Sequence, residues 1–568
     1  MKRSTAVAIA AAALFASSAA PPPASYSVLI RSGTIYDGSG GRPYVGDVAL
    51  KGDKIVYVGP RAPGRAARVI DARGKAVSPG FINMLSWAVE SLIADGRGMS
   101  DTYQGVTLEV FGEGDSMGPL NDEMKRKALS REGDIKYPIQ WTTLAQYLEF
   151  LQRKGVTPNV ASFVGATTVR VHELGEKDVQ PTPAQLQRMR ALVRQAMKDG
   201  ALGVGSALIY APATYARTPE LTALANEAAK CHGMYISHMR SEGNKLLEAI
   251  DELVTISRNS GAPAEIYHFK QAGKPNWDKI DAAIGRVNAA RARGQRITAN
   301  MYTYTAGATG LDAAMPTWVQ SGGLEAWIAR MQDPKVRARV IQEMRTPSND
   351  WENLLLLSGG PQNVLLVSFK NPKLKYLTGK TLAEVAKMRG KSPEETAIEL
   401  VTEDDSRVGT IYFIMSDANV KREVGLPWMS FGSDEASPAP EGVFLKSQSH
   451  PRAYGNVARL LGHFVRDDHA ATLQDAVRRL TSLPASNIGI RQRGWLKPGY
   501  YADVVVFDPA TIQDHATYAK PDQLATGVDD VFVNGVQVMK DGRHTGAKPG
   551  RFLRGPGWTG WPGGGACK

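Results

Sequence analysis

Tyr235-Ile236-Ser237-His238 and Ala264-Glu265-Ile266-Tyr267-His268 are two short, mostly apolar runs that each end in histidine. Between them Leu246, Leu247, Ile250, Leu253, Val254 and Ile256 recur at helical spacing. The order is strand, helix, strand, and a crossover of that kind forces its two strands parallel. Parallel strands share one C-terminal edge, which in an α/β barrel is the active-site face. His238 and His268 then point into one pocket, within reach of a common divalent metal ion. Taken singly, either histidine reads more readily as a satisfied core residue. Matched at two neighbouring strand ends, they read as a metal pair.

Working outward, residues 76–83, 105–113, 159–164 and 203–206 read as strands one to four. The histidine runs are five and six, residues 296–302 are seven, and residues 428–434 are eight, with Asp434 at the same C-terminal edge. Eight strands with helical stretches between most of them predict an α/β fold of the (β/α)8 TIM-like type rather than an open sheet. Alternating runs at residues 27–30, 47–50 and 54–58 find counterparts at 502–507 and 531–538. Both termini are therefore expected to build one small β-sandwich domain, from residues 25–76 and 486–550, with the barrel of residues 77–485 inserted between them. The interval 311–425 is too long for a loop and carries its own helical text, as at 382–388 and 393–401. It is expected to be a lid subdomain over the pocket mouth.

Composition narrows the function classes. The chain has 568 residues, 43% hydrophobic and 22% charged, proportions that suit a large folded core and exclude a disordered protein. A net charge of +12 is spread among acids without a basic stripe, so nucleic acid is not an expected partner. No GxxxxGK[ST] phosphate cradle occurs, which removes support for nucleotide-driven chemistry. Met1-Lys2-Arg3, the apolar run from residue 6 to 15 and Ser17-Ser18-Ala19 read as a secretory signal peptide, with residues 1–24 forming leader and lead-in. No cysteine lies beside the cleavage site, and no later run reaches about twenty apolar residues, so stable membrane insertion is not expected. Cys231 and Cys567 are the only cysteines, too few for a disulfide framework. Cys231 is expected to be a small core residue and Cys567 to lie in a flexible tail, residues 551–568.

Six segments carry a resemblance. They are Lys198-Asp199-Gly200-Ala201-Leu202-Gly203-Val204-Gly205, Tyr235-Ile236-Ser237-His238-Met239-Arg240-Ser241-Glu242-Gly243, Ile266-Tyr267-His268-Phe269-Lys270, Tyr302-Thr303-Tyr304-Thr305-Ala306, Gly432-Ser433-Asp434 and His450-Pro451-Arg452-Ala453-Tyr454-Gly455. In order and spacing the chain resembles the N-acyl-D-amino-acid deacylases, the D-aminoacylase branch of the amidohydrolase superfamily. The resemblance implies a zinc-dependent amide hydrolase in which His238 and His268 ligate metal and Asp434 is the catalytic base. It further implies that Arg452, Lys270 and Tyr302 handle the substrate's carboxylate and carbonyl. The departures are local. Family members follow Pro-Gly-Phe-Ile-Asp with a His-x-His pair, whereas Leu85 and Trp87 hold those positions here. The cysteine ligand expected after strand two falls at Gly114, beside Glu113, and a histidine common near strand three falls at Ala166. One metal ion or none is then expected, not a pair.

A catalytic zinc needs about three protein ligands and an open position for water. His238 and His268 provide two, and Glu113, a carboxylate at a strand end, is the expected third, with Glu109 on the same strand as runner-up. The alternative for both acids is a plain ion pair with Arg or Lys. A water on zinc gives up a proton near neutral pH, and Asp434 would take that proton and return it to the leaving nitrogen. Arg452 suits a free carboxylate because a guanidinium grips two oxygens in fixed geometry. Trp87 is expected to form an apolar wall that favours hydrophobic acyl or aromatic groups, and His450 to anchor its loop beside Pro451. The expected activity is cleavage of the amide of an N-acyl amino acid, D included, or a small peptide, by a secreted, periplasmic enzyme holding one divalent metal ion, zinc. Two other readings stand beside it: an inactive barrel that binds an acylated or peptide ligand, and a hydrolase of cyclic amides, dipeptides or esters. The expected partner is a small-molecule substrate, and a homo-oligomer is compatible with the sequence.

Overall fold

The computed structural model describes residues 25–567, and the leader read at residues 1–24 lies outside them. Parallel strands run in the order Phe81–Asn83, Val106–Phe111, Asn159–Ser162 continued by Val164–Gly165, Gly203–Ala207, Met234–His238, Ala264–Ile266, Ile297–Met301 and Met429–Phe431. The ring closes where the Met84 N–H donates to the Phe431 carbonyl at 3.0 Å and the Asp434 N–H to the Leu85 carbonyl at 2.8 Å. Alternation along the strands sorts the side chains. Ile82, Met84, Leu108, Val110, Ala161, Phe163 and Ile236 share one buried cluster, while Asn83 and Glu109 instead bond with each other and with Asp101 on the helix Met99–Thr102.

The crossover that anchors this topology is the helix Leu246–Ser260. It buries Leu246, Ala249, Ile250, Leu253, Val254 and Ile256, and ends at Gly261, whose φ of 78° is left-handed. Such a C-terminal position favours glycine because a side chain there meets the preceding turn. Its flanking strands pair in parallel, Tyr235 with Ala264 and Ser237 with Ile266. One detail differs from the sequence reading. The second strand stops at Ile266, and His268 sits beyond it with φ 33°. Its amide leaves the ladder and donates to Asn300 Oδ1 at 2.9 Å. Asp434 is also left-handed, φ 52°. Non-glycine residues in this region cost on the order of 1–3 kcal/mol and persist only where the surroundings fix them, and here both deliver a side chain to the pocket.

Both chain ends meet in a nine-stranded sheet. Ala76–Pro79 joins the halves by pairing in parallel with Ser25–Ile35 and antiparallel with Val504–Phe507. Val28, Ile30, Val48, Leu50, Val77, Val504 and Phe532 fill its interior. The segment between the last two barrel strands forms a three-stranded antiparallel sheet, Gly307–Gly310, Gly409–Tyr412 and Val364–Ser368, with helices including Leu382–Arg389 and Pro393–Asp404. Both helices begin with reciprocal capping boxes, Thr381 with Glu384 and Ser392 with Glu395.

The C-terminal tail is a correction. Expected to be flexible, it packs instead across the barrel face where the strands begin. The Leu553 N–H donates to Val160 at 2.8 Å, Phe552 is buried, and Cys567 forms a disulfide with Cys231 just before the fifth strand. Cys231 is thus both a buried residue and a cross-link. The glycines serve close approach here rather than looseness: a Cβ on Gly555 would stand 2.4 Å from the Ala201 carbonyl, and one on Gly565 2.3 Å from Gly557 and Trp558. No helix among the described residues is long and apolar enough to cross a membrane.

Candidate active site

The C-terminal strand ends open into a cavity of about 920 Å³, within the usual range for small-molecule sites. At its centre Glu113 Oε1 lies 3.1 Å from His238 Nδ1 and 2.7 Å from His268 Nε2. All three residues are buried, and each offers a ligand atom within 4.8 Å of the other two. His238 Nε2 is buried without a hydrogen-bond partner. Two imidazoles, a carboxylate and an orphaned ring nitrogen form a donor set that fits a zinc-like divalent ion.

The electrostatics around this cluster are strongly coupled. Burial pushes the Glu113 carboxyl up, but His268 and His238 outweigh it and hold the group well below the usual carboxylate range. Burial and Lys270 push His268 down, yet Glu242 and Glu113 prevail and raise it to about 9. Across the pocket Asp434 Oδ2 lies 2.8 Å from Arg452 Nη2, and the Trp87 indole N–H donates to Oδ1 at 3.1 Å. Burial, opposed by Arg452 and reinforced by Glu113, lifts the Asp434 carboxyl to about 6, a value suited to proton transfer near neutral pH.

Residues 68–539 match the model of the amidohydrolase family. The chain belongs to that family. D-aminoacylase from Alcaligenes xylosoxydans xylosoxydans is 31% identical over 532 residues, spanning 93% of this chain and 97% of that protein. A solved D-aminoacylase structure, described by its binuclear metal centre with one-metal activation and second-metal attenuation, superposes with a TM-score of 0.76 at 30% identity and covers 93% of this chain and all of that one. N-acyl-D-glutamate deacylase from Bordetella bronchiseptica, solved with zinc and a phosphonate mimic of the tetrahedral intermediate, gives a TM-score of 0.75 at 28% identity, with 94% of this chain and all of that one covered. This chain is accordingly a metal-dependent amidohydrolase, a hydrolase acting on C–N bonds.

Trp87, Glu113, His238, His268, Lys270, Tyr302, Asp434 and Arg452 all line this amidohydrolase's cavity, whereas Glu109 and His450 do not. Glu109 is buried away from it, accepting from Asn83 at 3.1 Å, and burial together with Asp101 drives its carboxyl well above the usual range. It is a partner in a buried acid pair and not a member of the metal cluster. Arg452 opens the helix Arg452–Arg459 and lies 4.3 Å over the Tyr302 ring. Its Nη2 also donates to the Asp434 carbonyl at 2.6 Å, whereas its Nε and Nη1 and the Tyr302 hydroxyl are buried without partners. Buried donors left unpaired are costly, so these three are poised for a ligand's oxygens. His450 anchors the loop: one ring nitrogen faces the Ala306 carbonyl at 3.0 Å and the other accepts the Arg452 N–H at 3.0 Å.

Glu242 was not singled out. Its Oε1 lies 2.6 Å from Lys270 Nζ and 2.8 Å from His268 Nδ1. Burial raises its carboxyl, but Lys270, His238 and His268 pull it well below the ordinary range. It orients His268 from the side opposite Glu113, as outer partners of metal-binding imidazoles do. Its position four residues after His238, next to Gly243, was the available signal. Lys270 is correspondingly engaged inside the cluster, its Nζ 2.6 Å from Glu242 Oε1 and 2.7 Å from His268 Nδ1.

Proposed function

We propose that this amidohydrolase holds one zinc ion on Glu113, His238 and His268 and removes the acyl group from N-acylated amino acids, D-configured ones included. The observation that carries the reading is the pairing, within one cavity, of the Glu113–His238–His268 cluster with Asp434 and with the unpaired donors of Arg452 and Tyr302. A divalent ion held by the cluster would supply a water of lowered pKa and polarise the amide carbonyl. The Asp434 carboxylate is placed to accept a proton and deliver it to the leaving nitrogen. Arg452, with Nε and Nη1 free, takes the substrate's carboxylate, and the Tyr302 hydroxyl steadies the carbonyl oxygen. Lys270 and Glu242 keep His268 in place. Val367, Trp327, Leu354 and Phe444 line the same cavity and support a preference for hydrophobic acyl groups. The deacylases to which the chain is similar act, by name, on D-configured substrates.

Secretion to the periplasm belongs to the same reading. The leader in the sequence supports it, and so does the Cys231–Cys567 disulfide, a bond that persists in oxidising compartments.

The test is zinc content per chain in the wild type and in the His238→Ala, His268→Ala double variant, followed by hydrolysis of paired D and L N-acyl amino acids. About one zinc, lost in the double variant, with turnover of the D series is the expected result. A zinc-loaded wild type that releases no amino acid from any N-acyl substrate would overturn the deacylase assignment.

A further inference from the structure

Trp87 makes a contact that the mechanism above does not use. Its indole N–H donates at once to Glu113 Oε2 at 3.0 Å and to Asp434 Oδ1 at 3.1 Å. Among the described residues no other donor reaches either oxygen. The two carboxylates come from different strand ends, and their remaining oxygens are engaged elsewhere: Glu113 Oε1 on the two imidazoles, Asp434 Oδ2 on Arg452. Trp87 is itself locked to the Asp434 loop. Its backbone N–H donates to the Glu435 carbonyl at 2.8 Å, and Ser86 and Glu435 form a parallel bridge. The indole edge therefore stands between two like-charged groups that share one proton donor, which places the two oxygens within about 6 Å of each other. Two like-charged carboxylates so placed repel each other, and the shared indole N–H is the positive edge set between them.

We propose that Trp87 is a positioning residue that takes the place of a second cation: its N–H holds one oxygen of Glu113 and one of Asp434, fixes the other Glu113 oxygen on the imidazoles, and keeps the site to a single ion. The inference rests on the one-zinc reading and explains it from a residue of this chain. Two consequences distinguish it from an inert apolar wall. Without the N–H, Glu113 Oε2 is free to turn and the first zinc is held less well. With a metal-binding side chain in place of the indole, the gap between the carboxylates admits a second ion.

The experiment uses the purified full-length chain and zinc alone as probe. Zinc per chain is measured by equilibrium dialysis for the wild type, Trp87→Phe and Trp87→His, with circular dichroism to confirm folding and with kcat and KM determined at saturating zinc. Expected are one zinc in the wild type and one in Trp87→Phe with affinity reduced roughly 10–100-fold, the usual effect of losing an outer partner of a ligand. In Trp87→Phe, kcat falls by a similar factor while KM stays within about threefold. Trp87→His takes up two zinc ions. Two zinc ions on the wild type, or Trp87→His staying at one, overturns the exclusion of a second cation. Trp87→Phe with affinity and kcat both within threefold of the wild type overturns the positioning role. Absence of any zinc on the wild type overturns the metal assignment itself, and the inference with it. If Trp87→Phe fails to fold, the stoichiometry of Trp87→His still decides.

Discussion

Asp434→Asn is the substitution that bears most directly on the proposed chemistry. Asparagine keeps an oxygen to accept the Trp87 N–H, now 3.1 Å away, but removes the negative charge 2.8 Å from Arg452 and the ability to take a proton. Loss of a positioned general base costs about 10²–10⁴-fold in turnover, and kcat should fall within that range. The fold should survive, because Arg452 keeps its 2.6 Å bond to the residue's own carbonyl and its stacking on Tyr302. The wild-type pH profile gives an independent reading of the same group. A base works deprotonated, and burial lifts this carboxyl from 3.8 to about 6. The acid limb of kcat/KM should therefore begin near pH 6, two units above an ordinary aspartate, with about a tenfold loss by pH 5. That limb should be absent from the residual activity of Asp434→Asn. Steady-state kinetics from pH 4.5 to 9 at saturating zinc, with metal content and thermal unfolding as controls, measures both. Turnover within tenfold of the wild type in a folded, metal-loaded variant would refute the assignment of the base. A wild-type profile flat to pH 5 would refute the poised carboxyl.

Two predictions concern stability rather than turnover. Glu423 is fully buried, with one oxygen 3.1 Å from Gln271 Nε2 and the other without a partner, and burial foremost raises its carboxyl from 4.5 to about 8. A carboxyl raised in the folded state favours folding while protonated, so its contribution is full below about pH 4.5 and is lost as pH rises through about 8. Glu423→Gln should be the more stable form at pH 9, by at most about 5 kcal/mol at about 1.4 kcal/mol per pKa unit. An unfolding difference that is the same at pH 5 and pH 9 would contradict this. Cys567→Ser opens a link between residues 336 positions apart. Cross-links over long loops contribute up to about 5 kcal/mol, so the variant should unfold at lower temperature than the oxidised wild type and match the reduced wild type.

The barrel was legible because its signal is periodic and local: apolar runs that end in polar residues, with helical spacing between them, recur along the chain. The lining of the pocket was legible where side chains sit at or just beyond strand ends, as with His238, Tyr302 and Asp434. What escaped depends on spatial neighbours that sequence distance hides. Glu109 and Glu113 look interchangeable on paper, but alternation along Val106–Phe111 sends Glu109 out to Asp101 while Glu113, beyond the strand, turns to the imidazoles. The tail was misjudged because glycine content reads as looseness, although a residue without a side chain is also what lets one backbone lie against another. The Cys231–Cys567 bond has no local mark at all, since it joins the start of a strand to the chain's far end.

Charge balance ties the site together. Around the cluster Glu113, Glu242 and the nearly buried Asp434 place three negative charges, and the buried Lys270 and Arg452 place two positive ones. With neutral imidazoles the cluster is one charge short of balance, a costly state away from water. Without a metal ion a proton on His268 makes up the difference, and this is why Glu242 and Glu113 hold that ring's pKa up near 9 despite its burial. A zinc ion held there, as proposed, would displace that proton, because a metal ligand needs the neutral ring. Exchanging one positive charge for two would leave these five groups with a net charge of +1, in the pocket where two nitrogens of Arg452 are unpaired. On the proposed reading the loaded site would favour an anion such as the free carboxylate of an N-acyl amino acid, so that the same acids and bases would govern both metal binding and substrate choice.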